Sequence, residues 1–316
     1  MRKALLFALL FALGMFVIQP AGAGEKKYRL GLCMSSLDTF LSSMSDAAVA
    51  KAKEMGVELV IMDAQDDTVR QSDQVMNFIT DGVDGLIINV VETSSAPPIV
   101  STAAQAKIPV VWVNRNPFFG QPAIPANNYV VSPNARREGA VGMEYAGNLM
   151  GGKGNIVILM GMLGHEATFN RTEGVKDVLK EKYPDIKILD EQTGNWQRDQ
   201  GMTVMENLIT AHGDRINAVL ANNDEMGLGA ILALRQYGMN DVVVCSVDGT
   251  RDGVASVASG NGLNGTAFQD AKAQGAGSVE TIVRVLNGEQ VDQQNLLPVE
   301  LITRENVQEF RQKHGM

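Results

Sequence analysis

Six short apolar runs in this 316-residue sequence stand out because each leads into polar residues that include an amide, a guanidinium or a carboxylate. Leu86-Ile87-Ile88 leads to Asn89, and Val110-Val111-Trp112-Val113 leads to Asn114-Arg115. Ala218-Val219-Leu220-Ala221 leads to Asn222-Asn223-Asp224, the run 242–247 to Asp248, and the run 264–268 to Gln269. The first run, 28–34, opens into Ser35-Ser36-Leu37-Asp38-Thr39-Phe40. An amide or guanidinium can engage two neighbouring groups at once, and a carboxylate can accept from two hydroxyls. Adjacent hydroxyls on a saturated ring present that paired pattern. The apolar C–H faces of such a ring suit flat aromatic side chains, which Phe40 and Trp196 supply at corresponding loop positions. The chemistry implied is the binding of a small, uncharged, hydroxyl-rich molecule.

Taken singly, an Asn or Asp at such a place reads equally as a helix N-cap or turn residue. Asp224, ahead of Glu225-Met226-Gly227, reads as a cap rather than a ligand contact. Arg115 and Arg171 are not capping residues, and six polar residues at the same end of successive runs point to a shared site.

The elements that must position them alternate strictly. Strand-like runs at 28–34, 58–62, 85–89, 109–113, 155–160, 187–191, 218–221, 242–247 and 264–268 are interleaved with helical patterns at 38–55, 68–80, 95–105, 134–150, 167–182, 198–211, 225–237 and 271–286. Runs with few alternating polar residues are strands covered on both faces, and β–α alternation gives parallel sheets with right-handed crossovers. The fold class is therefore α/β. The alternation occurs twice, on either side of a Pro/Gly/Asn-rich segment, 116–134, read as irregular. This gives two doubly wound parallel-sheet lobes joined near Ser132-Pro133. The expected division is 24–132 with 270–296 in one lobe and 133–269 with 297–316 in the other. In open parallel sheets ligands bind beyond the carboxyl ends of the strands, where the polar residues above fall.

Several function classes are excluded. With 27 basic against 36 acidic residues the chain carries a net charge of −9, with no Lys/Arg block, which argues against nucleic acid and anionic membranes as partners. Arg2 and Lys3, an apolar run from 4 to 18 and small residues Ala21 and Ala23 read as a secretory signal peptide, 1–23. The two cysteines, Cys33 and Cys245, lie far apart in apolar runs and read as buried free thiols, giving neither a disulfide framework nor a metal cluster. No HExxH, P-loop or GxSxG pattern occurs among residues that include only three histidines. His165 begins a helix at a strand's carboxyl end, where it could line the cleft, but it reads first as a solvated loop histidine. Gly260, Gly262 and Gly265 form a GxGxxG string that precedes a strand instead of following one, so it reads as a helix-to-strand turn. No cofactor and no catalytic residue is expected. An exported sugar-acting enzyme would need carboxylates such as Asp38 and Asp248 to face one glycosidic bond.

The segments Asn223-Asp224-Glu225-Met226-Gly227-Leu228-Gly229-Ala230 and Val247-Asp248-Gly249-Thr250-Arg251-Asp252-Gly253 carry a family likeness. The chain resembles the periplasmic sugar-binding proteins of ABC transporters, of the ribose/galactose/inositol-binding class, over essentially its whole mature length. Gly164-His165-Glu166-Ala167-Thr168, Arg171-Thr172-Glu173-Gly174-Val175, Asn195-Trp196-Gln197-Arg198 and Asn114-Arg115 resemble the inositol-binding branch. The resemblance implies a hydroxyl-binding network of Asn89, Asn114, Arg115, Arg171, Asn223, Asp248 and Gln269. Phe40 and Trp196 would cover the two ring faces, with Asp38 at the rim or against the ligand. It further implies hinge strands at Ser132-Pro133, at Phe268-Gln269 and before Pro298. A monomeric periplasmic protein would close on its ligand and dock on a membrane permease, with a chemoreceptor as a compatible further partner. In ribose- and glucose-type members an Asp stands where this chain has Asn114. The amide favours a cyclitol or alditol, best myo-inositol, over ribose and other monosaccharides.

Overall fold

The structure is a computed structural model that describes residues 28–315; the predicted signal peptide lies outside them. Strands β1 (Arg29–Met34), β2 (Glu58–Asp63), β3 (Gly85–Ile88), β4 (Val110–Val113), β5 (Asn128–Pro133) and β11 (Gln294–Leu297) form one sheet. Its order is β11-β5-β4-β3-β1-β2 and every pairing is parallel. The second sheet has the order β12-β10-β9-β8-β6-β7, from β6 (Lys153–Met160), β7 (Asp185–Thr193), β8 (Ala218–Ala221), β9 (Val243–Asp248), β10 (Gly265–Phe268) and β12 (Glu300–Thr303). It is parallel except for the antiparallel β10–β12 edge.

Alternation along the strands explains the layering. In β1, Leu30, Leu32 and Met34 pack on one face against α1 (Thr39–Glu54) and α9 (Ala271–Leu286), while Cys33 joins Leu86, Ile88 and Trp112 on the other. The second sheet divides in the same way, with Val157 and Leu159 on one face and Ile156 and Ile158 on the other. Both sheets are thus covered twice, which accounts for their uninterrupted apolar runs.

The chain passes between the sheets three times: from β5 into α4 (Ala135–Leu149), from β10 into α9, and from β11 directly into β12. These passages fall at Pro133, Gln269 and Pro298. The segment 116–134 departs from the sequence reading, because it contains β5. Asn128 earns its place there by tertiary partners: its Oδ1 accepts from Trp112 Nε1 at 2.9 Å. The Gly260 turn behaves as read: α8 (Arg251–Ser259) ends at Gly260 in the left-handed conformation, and β10 follows.

Candidate functional site

Nine of the ten predicted site residues line one cavity of about 300 Å³ between the sheets: Asp38, Phe40, Asn114, Arg115, Arg171, Trp196, Asn223, Asp248 and Gln269. They come from the carboxyl ends of strands of both sheets and from the first two turns of the helices that follow. Asn89 is set back. It is fully buried, and its side chain turns into the sheet to donate to the Val113 carbonyl at 3.1 Å and accept from Ser35 Oγ at 2.6 Å.

The second sheet supplies the charged floor. Arg171 lies on α5 (Glu166–Lys182), whose backbone meets α4 so closely that a Cβ on Gly139 would lie 1.9 Å from the Arg171 carbonyl oxygen. This contact sets Arg171 Nε 2.8 Å from Glu138 Oε2, while Nη1 donates to the Asn222 carbonyl at 2.7 Å. Nη1 also stands 3.8 Å from Asp248 Oδ1. Burial drives the Asp248 carboxyl well above its ordinary range, and Arg171 opposes that rise. Asp248 holds φ at 125°, in the region that favours glycine, which is the kind of backbone strain that collects at functional sites.

From the first sheet, Arg115 Nη1 donates to the carbonyls of Val90 at 2.6 Å and Val91 at 3.1 Å. Burial lowers its guanidinium to about 10, against the pull of Asp66 and Asp38, so it stays charged at neutral pH. Asp38 lies exposed at the rim as the N-cap of α1, accepting from Leu41 N at 2.8 Å.

Phe40 and Trp196 approach from different sheets. The Trp196 indole fits against Gly161, where a Cβ would lie 2.0 Å from the ring. Its Nε1 donates to His165 Nδ1 at 2.9 Å, and Arg171 Cζ lies 5.7 Å from its ring centroid. His165 is therefore not a solvated loop residue. It is 2% exposed, and burial with the nearby Arg115 charge lowers its imidazole to about 3.

Asp224 is a second departure. Asn223 caps α7 (Asp224–Gln236), accepting from Met226 N at 3.0 Å. Asp224 is instead a buried clamp that accepts from Ser246, Thr250 and Thr266 at 2.6–2.8 Å. Sequence reasoning also missed Arg198 and Glu225, which line the cavity as a bidentate pair at 2.8 and 2.9 Å. Their signal was adjacency: Arg198 follows Trp196 by two residues and Glu225 follows Asn223 by two. Among the described residues no group of three or more His, Cys, Asp or Glu side chains is placed to hold a metal ion, and no helix is long and apolar enough to cross a membrane. Burial raises both free cysteines, Cys33 and Cys245, to about 12.

The arrangement thus offers neutral amides, the guanidinia of Arg115, Arg171 and Arg198 and the buried Asp248 carboxyl in one small cavity with aromatic walls. The periplasmic binding protein domain matches residues 30–290. The chain belongs to the periplasmic binding protein family. Within it, the sugar- and polyol-binding proteins of ABC transporters are its relatives. A provisionally named rhizopine-binding protein of Rhizobium meliloti is 40% identical over 262 residues, covering 82% of this chain and 84% of that protein. A xylitol-binding protein of Mycolicibacterium smegmatis is 35% identical, covering 90% and 80%. A Bacillus halodurans ABC transporter solute-binding protein, solved with bound myo-inositol, superposes with a TM-score of 0.85 at 40% identity, covering 91% of this chain and 98% of that one. That solved structure shares the two-lobed α/β architecture found here.

Proposed function

We propose that this periplasmic binding protein captures a neutral cyclitol or alditol, best myo-inositol, and delivers it unaltered to an ABC permease. The single observation that carries this reading is the convergence of Asn114, Arg115, Arg171, Asn223, Asp248 and Gln269 from both sheets on one cavity at the small end of ligand-pocket sizes. Phe40 and Trp196 cover the ring faces, and Asp38 guards the rim. The relatives solved or named with myo-inositol and xylitol support the ligand class. Ribose and other monosaccharides are the second reading, favoured by the same hydroxyl pattern.

Capture proceeds without chemistry. The two lobes, each built on one of the sheets, move as units about the three passages. Greater affinity of the ligand for the closed arrangement shifts the population toward it. A hydroxyl left unpaired inside the closed site costs about 1–3 kcal/mol, which is the source of stereochemical selection. Export by the N-terminal signal places a monomer in the periplasm, where the closed form meets the permease. A calorimetric screen of inositols, alditols, pentoses and hexoses, with the ligand recovered and analysed, tests the reading. Tight binding of an unaltered cyclitol or alditol is expected. Turnover of the ligand, or preference for aldoses, would overturn it.

A further inference from the structure

Asn114 sits at the junction of a hydrogen-bonded relay whose direction is set by a backbone group. The Val113 carbonyl can only accept, so the Asn89 atom 3.1 Å from it is Nδ2. The same Nδ2 faces Asn114 Oδ1 at 3.5 Å. That turns Asn114 Nδ2 the other way, where it lies 3.0 Å from both Gln269 Oε1 and Gln274 Oε1. Gln269 in turn delivers its Nε2 to Asp248 Oδ1 at 2.7 Å. Both N–H groups of Asn114 are engaged by protein, and only Oδ1 is left for anything else. Gln274, on α9, is fully buried, does not line the cavity, and its Nε2 has no partner among the described residues. A buried donor without a partner is unfavourable, and here it accompanies the commitment of Oε1 to Asn114.

We propose that Gln274 is a positioning residue for the polyol site: with Gln269 it ties down both amide N–H groups of Asn114, so that position 114 offers a ligand one acceptor and no donor. This rests on the polyol reading and deepens it, because it says which partner a ring hydroxyl must be at that point. It also accounts for the amide. An Asp at 114 would set a carboxylate against Gln269 Oε1 and Gln274 Oε1. Gln274 can turn, since its Nε2 holds no bond, but Gln269 cannot turn without breaking its bond to Asp248.

The test has a ligand-free arm and a binding arm on the full mature chain. In the unliganded, ¹⁵N-labelled protein, both Asn114 side-chain amide protons should be protected from exchange with water. Gln274→Met should deprotect one of them, and Gln274→Glu, which keeps an acceptor, should protect both. Rapid exchange of either proton in the unsubstituted protein overturns the proposal, whether or not the methionine variant folds. In calorimetry with myo-inositol, Gln274→Met should weaken binding about tenfold, the worth of roughly one hydrogen bond, and Gln274→Glu should stay within about threefold. In an Asn114→Ala background Gln274→Met should change affinity less than about twofold. Equal losses in both backgrounds overturn the proposal. If no polyol binds while the exchange pattern holds, the polyol reading fails and the tie between Gln274 and Asn114 stands.

Discussion

The indole of Trp196 and the imidazole of His165 form one hydrogen-bonded unit, with Nε1 donating to Nδ1 at 2.9 Å and the two planes 22° apart. Trp196 holds φ at 67°, a conformation a bulky residue keeps only when its surroundings impose it. His165→Leu should therefore release the ring and weaken polyol binding about 3–10-fold, one neutral hydrogen bond being worth about 1 kcal/mol. Trp196 emission should respond to polyol in the unaltered protein and respond less in the variant. An unchanged titration in both would remove the indole from the site.

The imidazole also makes a pH prediction. Its folded value of about 3 lies below the ordinary 6.5, so the unfolded chain binds the extra proton first as pH falls. Stability contributed by neutral His165 is whole above pH 6.5 and is lost between 6.5 and about 3. Thermal unfolding of His165→Leu should accordingly be less sensitive to acid over that window than unfolding of the native chain.

Glu166 acts in the opposite sense. Desolvation raises its carboxyl from 4.5 to about 7, so the folded chain holds a proton that the unfolded chain has released. Stability should decline as pH rises from 4.5 to about 7, and Glu166→Gln should flatten that decline. Melting temperatures at either end of the window check this, with a difference of a few degrees expected on the alkaline side.

Glu138 was invisible in the sequence because it sits inside an amphipathic helix with no motif around it. Its role depends on α5, which brings Arg171 to it 33 residues later. Glu138→Ala should leave the buried Arg171 guanidinium with only the longer contact to Asp248 and cost about 3–5 kcal/mol of stability, measured by denaturant unfolding. A Glu138→Met/Arg171→Met pair should recover much of the stability and none of the binding.

Asp248→Ala should abolish detectable polyol binding while the protein stays folded, since Asp224 and not Asp248 holds the neighbouring loops together. Calorimetry with a circular dichroism control decides it. Retained affinity would contradict the assignment of strand ends to the site.

What was legible in the sequence follows from what is local. Val110–Val113 and Ala218–Ala221 are doubly covered strands, and such strands announce themselves as apolar runs with polar residues at their ends. β5 was hidden in a Pro/Gly/Asn-rich stretch because its register is set by β4 and β11 rather than by a long apolar pattern. Neither edge strand, Gln294–Leu297 or Glu300–Thr303, shows as an apolar run, both being exposed at their starts and defined by pairing; the first was expected only through the family resemblance, as the hinge strand before Pro298. The short α8 was missing from the list of helical patterns for want of length, and only its end was read, as the helix-to-strand turn at Gly260. His165 looked like a loop residue because its burial comes from Trp196, 31 positions away. Asn89 looked like a wall residue because it follows an apolar run, but a carbonyl on the next strand captures its amide.

A crystal structure of the protein grown with myo-inositol tests the central claim most directly. One ring is expected between Phe40 and Trp196, with hydroxyl oxygens within about 3.2 Å of Asp248, Arg171 and Asn114 Oδ1. An empty cavity at saturating ligand, or a ring bound elsewhere on the protein, would contradict it.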